Sequence, residues 1–477
     1  MEYESVIGLE VHVQLKTKTK AFCGCSTEFG KEPNSQVCPV CLGFPGSLPV
    51  LNKVYLRYSI KVALALNCKI QEYTKFDRKN YFYPDLPKNY QISQYDLPLS
   101  RNGFLDIDLD GKIKRIGIRR VHMEEDAGKL IHKDDVSLVD FNRAGVPLLE
   151  IVSEPEINSP QDAYEYLTSL KSVLEYLDVS DCDMEKGSLR CDANVSIREK
   201  GAQKLGTKSE LKNLNSFRAV RDSLSYEIER QSQLLNGGKR VLQETRLWDS
   251  RELKTISMRT KEEAQDYRYF PEPDLPPFII DSKKIEEIKK EIPELPREKM
   301  LRFMREYSLT EYDAKILVSS KKDADYVEEC IKVYQGKDRK MLANWIIGPL
   351  SSESNLRSCA ISALNVTSGR LIELIGFLER QEISNLTAKS VLTEMIDTGN
   401  SAQGIIKEKN LIQISDTKEL DNIADEAIKE NPRSANDYKS GKENALMFLV
   451  GQAMKKSKGK ANPKVIQEIL RRRMSDA

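Results

Sequence analysis

A chain of 477 residues exceeds the size at which a single hydrophobic core stops growing, so about three domains are expected. Its 40% hydrophobic and 31% charged content is that of a soluble globular protein; no apolar run approaches the roughly 18 residues of a membrane span, and Met1–Leu15 carries Glu2, Glu4, Glu10 and His12, unlike a secretory leader. This excludes a transporter or a disulfide-stapled secreted module and points to a cytoplasmic protein with no membrane partner, whose nine cysteines serve as thiols or metal ligands.

Val6–Leu15 alternates as a strand, with Ile7, Leu9, Val11, Val13 and Leu15 on one face and Gly8, Glu10, His12 and Gln14 on the other. A histidine two residues from a glutamate suits a shared metal or proton transfer, and an exposed polar strand face reads the same. Cys23-x-Cys25 and Cys38-x-x-Cys41, joined by a turn-rich loop, suit a closed tetrahedral zinc site of structural character within Phe22–Pro49. Val54–Leu66 reads as a helix. Phe76–Leu99 interleaves Lys79, Lys88, Tyr81, Tyr83 and Tyr90 with Pro84, Pro87 and Pro98, the composition of a stiff loop that handles phosphates and bases. Leu105–Val121 is a hairpin about Asp110-Gly111, and Glu124, Glu125 and Asp126 crowd directly after it, either as a solvated acidic turn or as oxygen ligands for a divalent cation.

Val136–Asn142 and Leu148–Val152 read as strands; the second carries Glu150 among apolar residues, where an unpaired charge is expensive. Ser159-Pro160 starts a helix in the N-cap and N1 positions. Leu189–Arg198 sets Arg190, Asp192, Asn194, Ser196 and Arg198 on one strand face, the pattern of an active-site wall or of a solvated face. Asn215-Ser216 caps a long helix, Val241–Trp248 is a strand, and Ser257–Phe278 mixes Arg259, Lys261 and Arg268 with four aromatics. From about Pro293 strand signals cease and short helices follow, with Thr367-Ser368 and Thr398–Gln403 as possible joints. The end is basic: Gly451–Ala477 holds eight Lys and Arg against Glu468 and Asp476, a net +6 in a chain whose total is +1, which suggests an RNA-facing tail.

Seven segments taken together, Glu10/His12, CGC…CPVC, FDRKNYFYPDLPKNYQISQ, RVHMEEDAGK, FNRAGVPLLEIVSEP, GSLRCDANVS and MRTKEEAQDYRYFPEPDLPP, resemble in the same order the B subunits of bacterial and organellar aspartyl/glutamyl-tRNA amidotransferases. The resemblance implies an α+β fold: a mainly antiparallel catalytic cradle related to glutamine synthetase and guanido kinases (1–292, with the zinc loop 22–49), an all-α helical domain (293–404) and a small all-α tail that meets tRNA (405–477). It implies ATP-dependent transamidation of mischarged Glu-tRNA(Gln) or Asp-tRNA(Asn), with Mg²⁺ and a structural Zn²⁺ as cofactors. The partners it implies are an amidase-type A subunit, a glutaminase that supplies ammonia, and a small C subunit.

By the same resemblance Glu10, His12, Glu124, Glu125 and Glu150 form the magnesium set and Asp192 stands beside them. Lys79, Lys88 and Arg190 are charge clamps, and Asn194 and Ser196 lie near the phosphates. The catalytic group is then Glu10, His12, Glu125, Glu150, Lys79 and Asp192, and Cys23, Cys25, Cys38 and Cys41 hold zinc. Neither a P-loop nor a GxSxG, SxxK or Cys/His nucleophile signature is present, as expected if phosphoryl transfer to an already ionised carboxylate needs positioning and metal rather than a nucleophile. The alternative is a non-catalytic, zinc-containing tRNA-binding scaffold. A free-standing carboxylate–amine ligase leaves the helical, basic C-terminal third without a purpose.

Overall fold

The computed structural model describes residues 2–109, 111–260, 267–336, 338–412, 417–457 and 460–475. Asp110 of the expected hairpin turn, Lys261 and the tail Lys458 lie outside them. The chain forms two compact units, Met1–Pro296 and Arg297–Ala477.

The first unit is built on nine strands: β1 (Tyr3–Gln14), β2 (Lys69–Ile70), β3 (Ser100–Leu109), β4 (Lys112–Glu125), β5 (Pro147–Ser153), β6 (Leu189–Glu199), β7 (Ser209–Leu214), β8 (Glu244–Asp249) and β9 (Lys254–Thr260). They lie in the order β9-β8-β7-β6-β1-β5-β4-β3-β2, antiparallel except for β7 with β8. The alternation read in β1 and β6 is the reason for the fold. Ile7, Leu9, Val11 and Val13, with Cys191, Ala193 and Val195, are buried on one face beneath helices α1 (Lys53–Ala65), α2 (Pro160–Tyr176) and α3 (Phe217–Asn236). The helices begin where side chains accept their free amides: Asn52 from Val54 and Tyr55 N, Ser159 from Asp162 N, Ser216 from Ala219 N.

One expectation changes here. Phe76–Leu99 is not all loop: Asp77–Asn80 pairs with Tyr90–Ser93 and with Phe270–Pro271 in a small sheet. The strand Val136–Asp140 does not join the main sheet but pairs with Lys129–Lys133 in a ribbon of its own.

The second unit is helical, and its helices bury two separate cores. Phe303, Cys330, Ile346, Leu371, Leu374 and Met395 belong to the first, Ala424, Ala427, Leu449, Ile466 and Leu470 to the second. The expected boundary at 404/405 falls inside the helix Ala402–Glu408, whose Ile405 and Ile406 complete the first core. Thr367, expected as a joint, is instead the N-cap of Ser368–Glu379, and Gly399 ends Asn385–Thr398 in a left-handed conformation that a side chain would strain. Among the described residues no helix is long and apolar enough to cross a membrane.

Candidate active site

Directly opposed residues of antiparallel strands share a face, so the register of the central strands fixes what meets on the side away from the helices. Arg190, His12, Glu150 and His122 stand in one line across β6, β1, β5 and β4. Asp192, Glu10, Val152 and Arg120 form the next line, and Gln14, Leu148 and Glu124 the line on the other side. These rows floor a cleft of about 790 Å³ whose walls carry Lys79, Tyr81, Asp85, Arg143, Glu210, Lys212, Tyr267 and Tyr269.

At the centre, ligand atoms of His12, Glu124 and Glu150 lie within 4.8 Å of one another. His12 Nε2 is 3.5 Å from a carboxylate oxygen of each glutamate, and His122 Nε2 is 3.3 Å from Glu150 and 3.8 Å from Glu124. Burial alone would discharge all four groups, but the opposite charges of the pairs outweigh it. The imidazoles of His122 and His12 keep Glu150 well below the usual carboxylate range, and the glutamates push His122 up to about 9. Glu10, one row away, is pushed up by burial and by the charges of Glu150, Asp192 and Glu210, and it accepts a 3.0 Å hydrogen bond from Asn194.

The other expected residues divide sharply. Lys79 lines the cleft over the Tyr267 ring at 5.0 Å, and the charges of Glu124 and Glu150 outweigh burial and hold it protonated. Arg190 is bound to Asp126 at 2.9 Å, Asp192 to Lys212 at 2.7 Å. Ser196 sits further along the same face, opposite Val6. Glu125 is not brought to the cluster. The expectation that Glu124 and Glu125 follow the hairpin as a turn fails because β4 runs through both, and successive residues of a strand point to opposite faces. Glu125 instead forms a buried ion pair with Lys88 and accepts from Ile92 N at 2.9 Å, so Lys88 is engaged there and not in the cleft.

Sequence reasoning passed over His122, although it alternates with Glu124 on β4 as His12 does with Glu10 on β1. Arg120, Arg143, Glu210 and Lys212 were also missed; pairing across strands brings in Arg120, Glu210 and Lys212, and the loop before β5 brings in Arg143.

Behind the Glu125 side, the Sγ atoms of Cys23, Cys25, Cys38 and Cys41 lie within 4.8 Å of one another. Zinc–sulfur bonds of about 2.3 Å at tetrahedral angles need sulfurs about 3.8 Å apart, so this donor set suits that ion. Buried Lys20 places its Nζ 3.6 Å from Cys41 Sγ, a countercharge for thiolates. The loop is tied by Asn34 and Gln36 to Val139–Asn142, and by Thr27 to the Thr17 carbonyl just beyond β1.

Two family models match the chain, "GatB/GatE catalytic domain" over residues 5–286 and "GatB domain" over residues 325–474. Among curated proteins it is similar to the B subunit of the aspartyl/glutamyl-tRNA(Asn/Gln) amidotransferase of Carboxydothermus hydrogenoformans, at 55% identity over 99% of both chains. The protein of the same name from Caldicellulosiruptor bescii is 54% identical over 99% of both chains, and that from Moorella thermoacetica 54% identical over 99% of this chain and 100% of the relative.

Proposed function

Since the chain belongs to the family of aspartyl/glutamyl-tRNA(Asn/Gln) amidotransferase B subunits, ligases of tRNA-dependent transamidation, we propose that its cleft is where ATP phosphorylates the side-chain carboxylate of a mischarged Glu-tRNA(Gln) or Asp-tRNA(Asn). The oxygen of that carboxylate takes the terminal phosphoryl group and ADP leaves; ammonia then displaces phosphate to give the amide. The observation that carries this reading is the His12, Glu124 and Glu150 cluster on the floor of a cleft ringed with cations.

Two carboxylates and one imidazole facing an open cleft fit a divalent cation held partly by protein and partly by phosphate, as Mg²⁺ commonly is. Bound there, it would screen the repulsion between the substrate carboxylate and the ATP phosphates. His12, Glu124 and Glu150 are its proposed ligands, with Glu10 and Asp192 in the adjoining row. Lys79, Arg190 and Lys212 are aligned to neutralise phosphate oxygens, and Asn194, which already donates to Glu10, fixes that carboxylate's direction. Glu125 and Lys88 we assign outside the metal set, as an ion pair joining the end of β4 to the loop between Asp77–Asn80 and Tyr90–Ser93. A mainly antiparallel sheet with carboxylates gathered on one face also supports kinship with the glutamine synthetase/guanido kinase fold.

Ammonia is proposed to come from the glutaminase, an amidase-type A subunit, held together with a small C subunit. An acyl phosphate hydrolyses in water, so delivery into this walled cleft suits the chemistry. The test is single-turnover ADP release from γ-labelled ATP with mischarged tRNA. Glu150→Gln removes one negative ligand at constant volume and is expected to slow the step about 10²–10³-fold, while glutamine hydrolysis by the glutaminase persists. Normal ADP release by this variant with intact tRNA binding would favour the scaffold reading instead.

A further inference from the structure

Among the described residues seven carboxylates line the cleft, and six of them have partners: Glu10 with Asn194, Glu124 and Glu150 with the histidines, Asp126 with Arg190 and Gln14, Asp192 and Glu210 with Lys212. Asp85 differs. Its Oδ1 is buried with no hydrogen-bond partner among the described residues, and apart from its own backbone N–H nothing there donates to its side chain. Arg143 is near enough to be felt electrostatically but forms no ion pair with it, and Asp126 repels it. Leaving such an oxygen unpaired costs stability in the free protein, a cost that an arriving donor relieves.

The position is rigid. Asp85 lies in the loop between Asp77–Asn80 and Tyr90–Ser93; its carbonyl accepts from Gly128 N at 2.8 Å, and the next residue, Leu86, is buried. A Cβ at Gly128 would stand 3.0 Å from that same carbonyl, so a side chain there would press against this loop. The backbone of Asp85 is thus held beyond the end of β4, on the Asp126 and Arg143 side of the cleft, while its side chain, with no partner among the described residues beyond its own backbone N–H, can turn to meet a donor arriving in the cleft.

The substrate read above brings one cation to this cleft, whose other six carboxylates already have partners. An amino acid esterified to tRNA has lost its α-carboxylate but keeps its α-ammonium, while its side-chain carboxylate goes to the metal cluster. We propose that Asp85 accepts a charge-assisted hydrogen bond from the α-ammonium of the aminoacyl ester. It is thereby a substrate-binding residue that orients the side-chain carboxylate and separates aminoacylated tRNA from free tRNA or from an N-blocked ester. This inference rests on the proposed transamidation.

The experiment uses the complex assembled with its partner subunits and compares mischarged tRNA with its α-N-acetylated form in wild type and in Asp85→Asn. ADP formation by wild type on unmodified mischarged tRNA tests the transamidation reading by itself. The discrimination ratio then tests Asp85. In wild type, acetylation is expected to lower kcat/KM for the tRNA about 10–100-fold, the worth of one charge-assisted hydrogen bond. In Asp85→Asn the unmodified substrate falls by a similar factor, mainly through KM, and acetylation then matters less than about threefold. Asp85→Glu should restore part of the discrimination, and unchanged thermal unfolding of Asp85→Asn guards against misfolding. Undiminished discrimination in Asp85→Asn overturns the proposal. So does normal ADP formation with a raised KM for ammonium chloride, which would make Asp85 a site for incoming ammonia.

Discussion

Glu124 and Glu125 are adjacent and of one residue type, yet one enters the histidine cluster and the other a buried pair with Lys88, because a strand alternates its faces. A buried carboxylate is tolerated only with such partners, and Glu227 shows the same rule away from the cleft. It is fully buried, receives Arg230 at 2.6 and 2.9 Å, Gln231 at 2.9 Å and Thr255 at 3.1 Å, and has Arg246 at 3.4 Å. Burial works to raise its carboxyl, but the Arg230 and Gln231 hydrogen bonds and both guanidinium charges outweigh it and hold it below its ordinary value. A depressed folded value means that its stabilisation is whole above the unfolded carboxyl, about pH 4.3, and is lost as pH falls through the folded value. Glu227→Ala, which strands Arg230 and Arg246, should cost about 3–5 kcal/mol in urea unfolding at pH 7. The difference between wild type and Glu227→Gln should shrink as the pH is lowered past 4.

At the scale of elements, the cysteine loop is an irregular segment with few apolar contacts of its own, in which Phe29, Phe44 and Leu48 are exposed. Something other than a core must order it, and the four sulfurs with Lys20 beside them are arranged for that. Protein purified without chelator is expected to hold zinc at near-unit stoichiometry by metal analysis. Cys38→Ser should lose it and unfold several degrees lower, while single-turnover ADP formation at a permissive temperature changes little. Zinc-free wild-type protein of unchanged stability would refute this. The spacing of these cysteines was legible in the chain because both pairs are local. The small sheet of Asp77–Asn80, Tyr90–Ser93 and Phe270–Pro271 was not, because its third strand comes from some 180 residues away and two-residue strands carry no periodic signal.

The whole molecule separates the cleft from the charged end of the chain in sequence. In the last core Lys456 pairs with Glu426 and Glu430, and Arg472 and Arg473 with Asp421 and Asp425. Part of the +6 is therefore neutralised within the tail. Deletion from Thr417, which leaves the core containing Ile405 and Ile406 whole, should raise KM for tRNA and flatten its salt dependence. A collapse of kcat at saturating tRNA with KM unchanged would show another role. By itself the sequence determined the polar faces of β1 and β6, the capped helices, the cysteine pairs and the order of motifs, because each is a pattern of period two, of helical turns or of short spacing carried by neighbouring residues. Only the tertiary structure decided that His122 joins His12 at Glu150, that Glu125 turns away to Lys88, and that Asp85 Oδ1 is left without a partner among the described residues. Register between strands far apart in sequence sets those meetings, and no local pattern encodes register.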